Sequence, residues 1–246
     1  MKRIRISSSI ANFSAKLRAR YSDYGDFKWF SKDPTIFFGI YHTGDFARYV
    51  LHRGEKTAFM CGSDILSLPR WFVPFLGRGT IYCENEVEQV KLAELGLKSY
   101  VHPMIFDDPS KYTETYEPSD TPTVWMSYHL GREEEYGLYR FLSVARQVPG
   151  LRFRFFNGQT PIEDFDEVTS HHQATIRFNE FDGFSENAAK ALLRGQYVYS
   201  VVPYHGVETI TTDDKLVEAL KALKDKKEPN PVSPYWREHL SKRVEV

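Results

Sequence analysis

The sequence predicts an α/β protein with two doubly wound domains, each built around a mostly parallel sheet. In both halves of the chain, short apolar runs bounded by turn residues alternate with amphipathic segments, as strands alternate with helices in such folds. Residues 107–122 lack this periodicity and are rich in Asp, Pro, Ser, Thr and Glu. We therefore predict domains at residues 1–115 and 116–228, followed by a C-terminal segment, 229–246.

The elements of the first half follow from their apolar runs and glycine stops. A first helix is expected at about residues 10–21, followed by a loop over 21–33. A second helix should follow residues 42–45 and end at residue 52, and a third should run from residue 87 to Gly96. The predicted strands lie at residues 2–6, 36–41, 56–60, 80–83 and 100–102.

The second half repeats the alternation. Helices are expected after residue 127, at 185–194 and at 213–224. The tail should form a helix at 235–242 that packs back on the N-terminal domain. The predicted strands lie at residues 123–127, 151–156, 174–178 and 197–202.

Composition narrows the class of protein. The chain has 246 residues, 41% of them hydrophobic and 26% charged, and a formal net charge of -1, which gives no global attraction to nucleic acid or acidic membranes. Cys61 and Cys83 form neither a disulfide framework nor a metal pattern. Without a membrane-length apolar run or a signal-peptide core, the sequence predicts a soluble protein of the reducing cytoplasm.

Residues 182–200 carry the most informative local pattern. A turn at 182–185 opens a short amphipathic helix that Gly195 ends, and an apolar strand follows at 197–202. The first amides of a helix have no partner within the helix and lie at the positive end of its dipole. The pattern therefore predicts a binding site for an anionic phosphate.

Several segments of the second half follow the order of a known family. They are Gly131-Arg132, Gly137-Leu138, residues 153–158 and residues 182–198. In this order they resemble the C-terminal half of the retaining GT-B glycosyltransferases, most of all the large family 4. In the first half, the strand before Tyr41-His42 and the sequence Gly62-Ser63-Asp64 resemble that family's acceptor domain.

The match to the family's acidic motif is partial. Asp182 matches its first acid and Gly183-Phe184 its turn, but Lys190 stands where the family has a second Glu that holds ribose. Tyr136 replaces a phosphate-binding lysine, and Cys61 replaces a histidine before Gly-Ser-Asp. These departures predict either unusual donor recognition or lost activity.

The resemblance implies two Rossmann-like domains facing across a cleft and transfer of a sugar from a nucleoside-diphosphate sugar to an acceptor hydroxyl. It further implies a retaining reaction without an obligatory metal, and no cofactor apart from the nucleotide-sugar substrate. His42 and Asp64, at predicted strand ends, are the candidate catalytic residues. The candidate donor-binding residues are Arg132, Asp182, Gly183, Phe184, Ser185, Glu186, Asn187 and Lys190.

Alternatives remain open at this point. The chain could be an inactive GT-B-like nucleotide-binding or scaffold protein. The acceptor could be a saccharide or a lipid-linked sugar. It could also be a hydroxymethylated base in phage-type DNA, because the basic residues that recur between Lys2 and Arg20 could contact phosphates. Ser185 could simply cap its helix, Arg132 could pair with nearby acids, and Lys190 with Arg194 could form a solvated stripe.

Overall fold

The computed structural model describes residues 1–158, 162–180 and 183–246. These residues form two compact units. The first contains residues 1–108, 183–184 and 240–246, and the second contains residues 109–180 and 185–239 as far as they are described. The division at Asp108 and Pro109 lies within the segment 107–122 that lacks periodicity.

The first unit is organised by a six-stranded sheet in which every pairing is parallel. Its strands, in the spatial order β2-β1-β3-β4-β5-β6, are β1 (Arg3–Ile6), β2 (Gly25–Asp26), β3 (Thr35–Phe38), β4 (Lys56–Phe59), β5 (Thr80–Cys83) and β6 (Tyr100–Val101). The helices are α1 (Ser14–Arg20), α2 (Thr43–Leu51), α3 (Val73–Leu76) and α4 (Glu86–Glu94).

Both faces of this sheet are covered by apolar side chains. Successive side chains of a strand point to opposite faces, so Phe37 joins one cluster while Ile36 and Phe38 join the other. All three side chains are at most 1% exposed. A continuous apolar run thus becomes a central strand buried on both sides, as expected for a parallel sheet.

The tail, residues 240–246, packs within the first unit against α1. Val244 is buried in the cluster that contains Ile36, and the Tyr21 hydroxyl donates to the Val244 carbonyl at 3.2 Å. The guanidinium of Arg20 donates to the carbonyls of Leu240 and Lys242, both at 2.7 Å. Main-chain acceptors therefore fix the end of the chain.

The second unit contains a five-stranded sheet, again parallel throughout. Its strands, in the spatial order β11-β10-β9-β7-β8, are β7 (Thr123–Ser127), β8 (Arg152–Phe156), β9 (Ala174–Arg177), β10 (Tyr197–Ser200) and β11 (Glu208–Thr209). The helices are α5 (Leu138–Ala145), α6 (Ile162–Ser170), α7 (Glu186–Leu193), α8 (Asp213–Ala222) and α9 (Ser233–Ser241), of which the last two residues of α9 are grouped with the first unit.

The predicted α/β class with two parallel sheets is confirmed. Helices α3 and α6 and the two-residue strands β2 and β11 were not predicted, because none of them forms a long periodic run. Such short elements are stabilised by tertiary contacts rather than by local propensity, which the sequence pattern does not reveal.

Candidate functional site

The carboxyl edge of the second sheet brings together three polar side chains. Ser127 ends β7 and Arg177 ends the neighbouring parallel strand β9. Arg177 Nη1 donates to Ser127 Oγ at 3.1 Å, and Asn187 Nδ2 donates to the same oxygen at 2.7 Å. Ligands of open parallel sheets bind beyond this edge, which is where the cluster lies.

Of this cluster only Asn187 was among the candidate residues, and both Ser127 and Arg177 were missed. Arg177 is only 7% exposed, and its guanidinium lies 5.8 Å from the ring centre of Tyr136. The available signal was an arginine at the end of an apolar run that is predicted to be a buried strand. Arginine is rarely buried without a partner, so such a position indicates a polar site.

Helix α7 begins beside this cluster. Ser185 is its N-terminal flanking residue, and its hydroxyl makes no capping hydrogen bond. Ser185, Glu186 and Asn187 are all half-buried, with Glu186 placed in the first turn. Amides of a first helical turn can bind an anion, but the negative charge of Glu186 disfavours one close to its carboxylate. That carboxylate is better suited to accept hydrogen bonds from sugar hydroxyl groups.

Gly183 and Phe184 are buried and belong to the first unit. A side chain at Gly183 would require the carboxylate of Glu84 to move. Asp182, the candidate first acid, lies outside the described residues, and its role stays a prediction.

Arg132 lies on the surface and is held by a neighbouring acid. Its Nε donates to Glu135 Oε2 at 2.6 Å, a hydrogen bond that lowers the pKa of Glu135. The guanidinium also lies 5.3 Å from the ring centre of Tyr136. Tyr136 therefore lies close to two arginines, Arg132 and Arg177, and the donor contact of Arg132 stays a prediction.

Lys190 is buried rather than solvated. Its ammonium donates to both carboxylate oxygens of Asp166, at 2.7 and 2.9 Å, and the residue is only 4% exposed. Arg194, one turn later, donates to the Asp166 carbonyl at 2.8 Å and to the Thr169 hydroxyl at 3.1 Å. These contacts join α7 to α6, so we assign the charge of Lys190 to this internal pair rather than to a donor phosphate.

The carboxyl edge of the first sheet contains the candidate Asp64. Its side chain is fully buried, and its two oxygens accept from the backbone N–H groups of Ile40 and Cys61, each at 3.0 Å. Burial raises the pKa of Asp64 to about 7. Both oxygens accept from amides that directly follow the C-terminal ends of β3 and β4. We therefore assign Asp64 to holding these two strand ends together rather than to deprotonating an acceptor.

His42 and Asp45 lie at the start of α2. His42 is exposed, and its Nε2 lies 2.6 Å from the Ser9 hydroxyl oxygen. Asp45 is buried and accepts from Ser7 Oγ at 2.6 Å and from Arg5 Nη2 at 3.1 Å. Of the residues predicted to be catalytic, His42 is therefore the one that an acceptor could reach, and that role stays a prediction.

The basic run of the first unit is held by intramolecular partners. Arg20 donates to backbone carbonyls, and the others pair with acids of the same unit. The acidic partners are Glu245 for Lys2, Asp33 for Arg3, Asp45 for Arg5, Asp107 for Lys16 and Asp26 for Arg18. These charges are balanced by acids of the same unit, so the structure gives no support to the modified-DNA acceptor.

Metal-binding clusters and membrane-spanning helices are absent from the described residues. Within residues 1–158, 165–180 and 183–246, no three His, Cys, Asp or Glu side chains lie together in a way that could hold a metal ion. None of the helices in that part of the chain is long and apolar enough to cross a membrane.

Comparison with known proteins gives matches to solved structures. No protein-family model matches the sequence, and no curated protein does. The lipopolysaccharide outer core galactosyltransferase WaaB is similar over 98% of this chain and 95% of its own, with a TM-score of 0.64 and 11% identity. The UDP-forming α,α-trehalose-phosphate synthase of Burkholderia xenovorans is similar over 94% of this chain and 74% of its own, with a TM-score of 0.62 and 10% identity.

Longer transferases match as well. A mutant TarM of S. aureus, solved with fondaparinux, alpha-GlcNAc-glycerol and UDP, is similar over 95% of this chain, with a TM-score of 0.64 and 9% identity. This chain spans 56% of that TarM and 55% of the pneumococcal O-GlcNAc transferase GtfA, so it is little more than half their length. The neighbours are GT-B glycosyltransferases, and at these identities the likeness establishes the fold.

Proposed function

We propose that this protein is a glycosyltransferase that uses a nucleoside-diphosphate sugar as donor and that the second unit binds the donor. The observation that carries the proposal is the cluster of Ser127, Arg177 and Asn187 at the carboxyl edge of a parallel sheet, beside the first turn of α7. Arginine suits a diphosphate because its planar guanidinium can donate to two oxygens at once.

The chemistry follows from the charge that develops on the leaving diphosphate. Fixed positive groups stabilise this charge, and we propose Arg177, the first amides of α7 and Arg132 for that role. Asp182 and Glu186 would bind sugar hydroxyl groups. On the family resemblance we propose a retaining, metal-independent reaction in the cytoplasm.

The acceptor is proposed to bind the first unit, with His42 as the residue that receives its hydroxyl proton. WaaB is named for the lipopolysaccharide outer core, and TarM was solved with alpha-GlcNAc-glycerol. A saccharide or lipid-linked acceptor is therefore the class we propose, whereas no observation favours modified DNA.

Titration with nucleoside diphosphates tests the donor site. Arg177→Ala should weaken the tightest-binding diphosphate about tenfold or more, because a charged hydrogen bond contributes about 1.5–3 kcal/mol. Asn187→Ala should produce a smaller loss. The matched control is Arg152→Ala, because Arg152 is an exposed arginine at the opposite, amino-terminal edge of the same sheet.

Donor hydrolysis and transfer are then measured with the corresponding nucleotide sugars. Absence of both binding and turnover with all common nucleotides would contradict the proposal, as would equal losses in Arg177→Ala and the control. The second candidate, an inactive nucleotide-binding protein, is favoured by the internal pairing of Lys190 with Asp166. Tight diphosphate binding without turnover would select that candidate.

A further inference from the structure

The first unit exposes a set of large apolar side chains that its fold does not bury. We call Trp29, Phe30, Leu51, Leu66 and Trp71 the aromatic face. Trp29 is 46% exposed, Trp71 55% and Phe30 69%. Scattered apolar residues are ordinary on a protein surface, but exposed tryptophans beside exposed leucines indicate a contact surface.

Ring contacts place both tryptophans against helix α2. The Arg48 guanidinium lies 5.2 Å from the ring centre of Trp29, and the ring of Phe46 lies 5.8 Å from that of Trp71. Both Phe46 and Arg48 belong to α2, whose Leu51 is 52% exposed. Two exposed tryptophans and an exposed leucine are therefore gathered at one helix.

The segments that carry these side chains are rich in cations. They are residues 27–33, 43–56 and 65–79, and the last of them contains no acid. Of the three acids in the other two, Asp33 binds Arg3 and Asp45 binds Arg5, which leaves Glu55 as the exposed acid. The exposed cations of the same segments are Lys28, Lys32, Arg53, Arg70 and Arg78.

The backbone at Phe30 adds a second kind of observation. Its φ is 62°, a left-handed conformation that the other non-glycine residues described here do not adopt. For a bulky residue this conformation costs about 1–2 kcal/mol, and no burial of the ring offsets it. Strain that presents an aromatic ring to solvent is typical of a binding loop rather than of a packing position.

We propose that the aromatic face binds the surface of an anionic phospholipid bilayer. Tryptophan and phenylalanine rings are stable at the level of lipid headgroups, and surrounding Lys and Arg side chains bind lipid phosphates. A second copy of the chain fits less well, because a two-fold contact would bring the same cationic patches together. Binding to lipid requires neither nucleotide nor acceptor, so this proposal stands or fails independently of the proposed activity.

Vesicle sedimentation tests the proposal with the full chain. Vesicles of phosphatidylcholine containing phosphatidylglycerol should bind the protein, those of phosphatidylcholine alone should bind it at least about tenfold less, and added salt should weaken binding. Trp29→Ser with Trp71→Ser should reduce binding about tenfold or more. The control is Tyr139→Ser, which removes a side chain that is 66% exposed in the second unit.

A charge variant and fluorescence complete the test. Arg53→Glu with Arg70→Glu should lower binding to anionic vesicles, whereas Lys224→Glu in the second unit should not. Trp125 and Trp236 are buried, each 1% exposed, so quenching by brominated lipid reports on Trp29 and Trp71. Thermal unfolding of each variant verifies that it remains folded.

The proposal is overturned if anionic vesicles bind no protein, if the tryptophan variant binds as well as the parent, or if no quenching occurs. Self-association in sedimentation velocity that the tryptophan variant abolishes, without vesicle binding, would assign the face to a second copy instead.

Discussion

The carboxyl edges of the two sheets carry buried groups of opposite charge. In the first unit these are the carboxylates of Asp45 and Asp64, bound to backbone amides and to side chains of the same unit. In the second unit they include the guanidinium of Arg177, which meets Asn187 at the Ser127 hydroxyl. Equivalent places in two similar sheets thus differ in charge: the first carries acids that bind its own loops, whereas the second carries an arginine and an asparagine joined through a serine.

The largest expected effect tests the first edge. Asp64→Ala should lower the free energy of unfolding of the first unit by about 3 kcal/mol, because two buried amides lose their acceptor. Hydrogen exchange should accelerate at the amides of Ile40 and Cys61. Glu55→Ala, at an exposed acid of the same unit, should change stability little.

If Asp64→Ala instead retained full stability but abolished sugar transfer, the assignment of Asp64 to strand-end closure would be contradicted. The two edges would then both serve ligands, and the contrast between them would disappear.

The next effect concerns the junction of α6 and α7. Lys190→Met should lower the free energy of unfolding by about 2 kcal/mol, because the partly buried Asp166 carboxylate loses its nearer cation and keeps only Arg194, at 3.8 Å. Diphosphate binding should be almost unchanged, since the ammonium is engaged by Asp166. Lys215→Met, at an exposed position on α8, is the control.

A double-mutant cycle with Asp166→Asn isolates the pair energy from other effects. Additive effects on stability, together with a large loss of diphosphate binding in Lys190→Met, would restore Lys190 to the donor site.

The smallest expected effect is a pair of opposite pH responses. The pKa of Asp64 is raised to about 7 in the folded state, so its contribution to stability is greatest below pH 4 and falls as pH rises to about 7. Burial lowers the pKa of His172 to about 4, so its contribution is complete above pH 6.5 and is lost as pH falls towards 4. Each slope should reach at most about 1.4 kcal/mol per pH unit.

Hydrogen exchange at several pH values separates the two units. Asp64→Asn should remove the falling slope from the first unit, and His172→Phe should remove the rising slope from the second. Slopes of the same sign in both units would show that other groups dominate the titration.

Local patterns predicted most of the architecture. The buried strands were identifiable because continuous apolar runs, such as Ile36 to Phe38 and residues 123–127, are typical of strands buried on both faces of a parallel sheet. Helix α6 was missed because it is only nine residues long and largely acidic. Its contacts with Lys190 and Arg194 join residues at least 24 positions apart in the sequence. Contacts at such separations leave no periodic trace in the sequence.

The sequence by itself determined the alternation of strands and helices, and with it the two parallel sheets and the glycosyltransferase resemblance. Only the tertiary structure decided which polar residues are used internally and which can meet a ligand. Lys190 and Asp64 looked available in the sequence, yet each is satisfied by a distant partner, whereas Arg177 looked like part of a strand and lies at the candidate site. Charge and spacing are local properties, but burial and pairing are set by the whole fold.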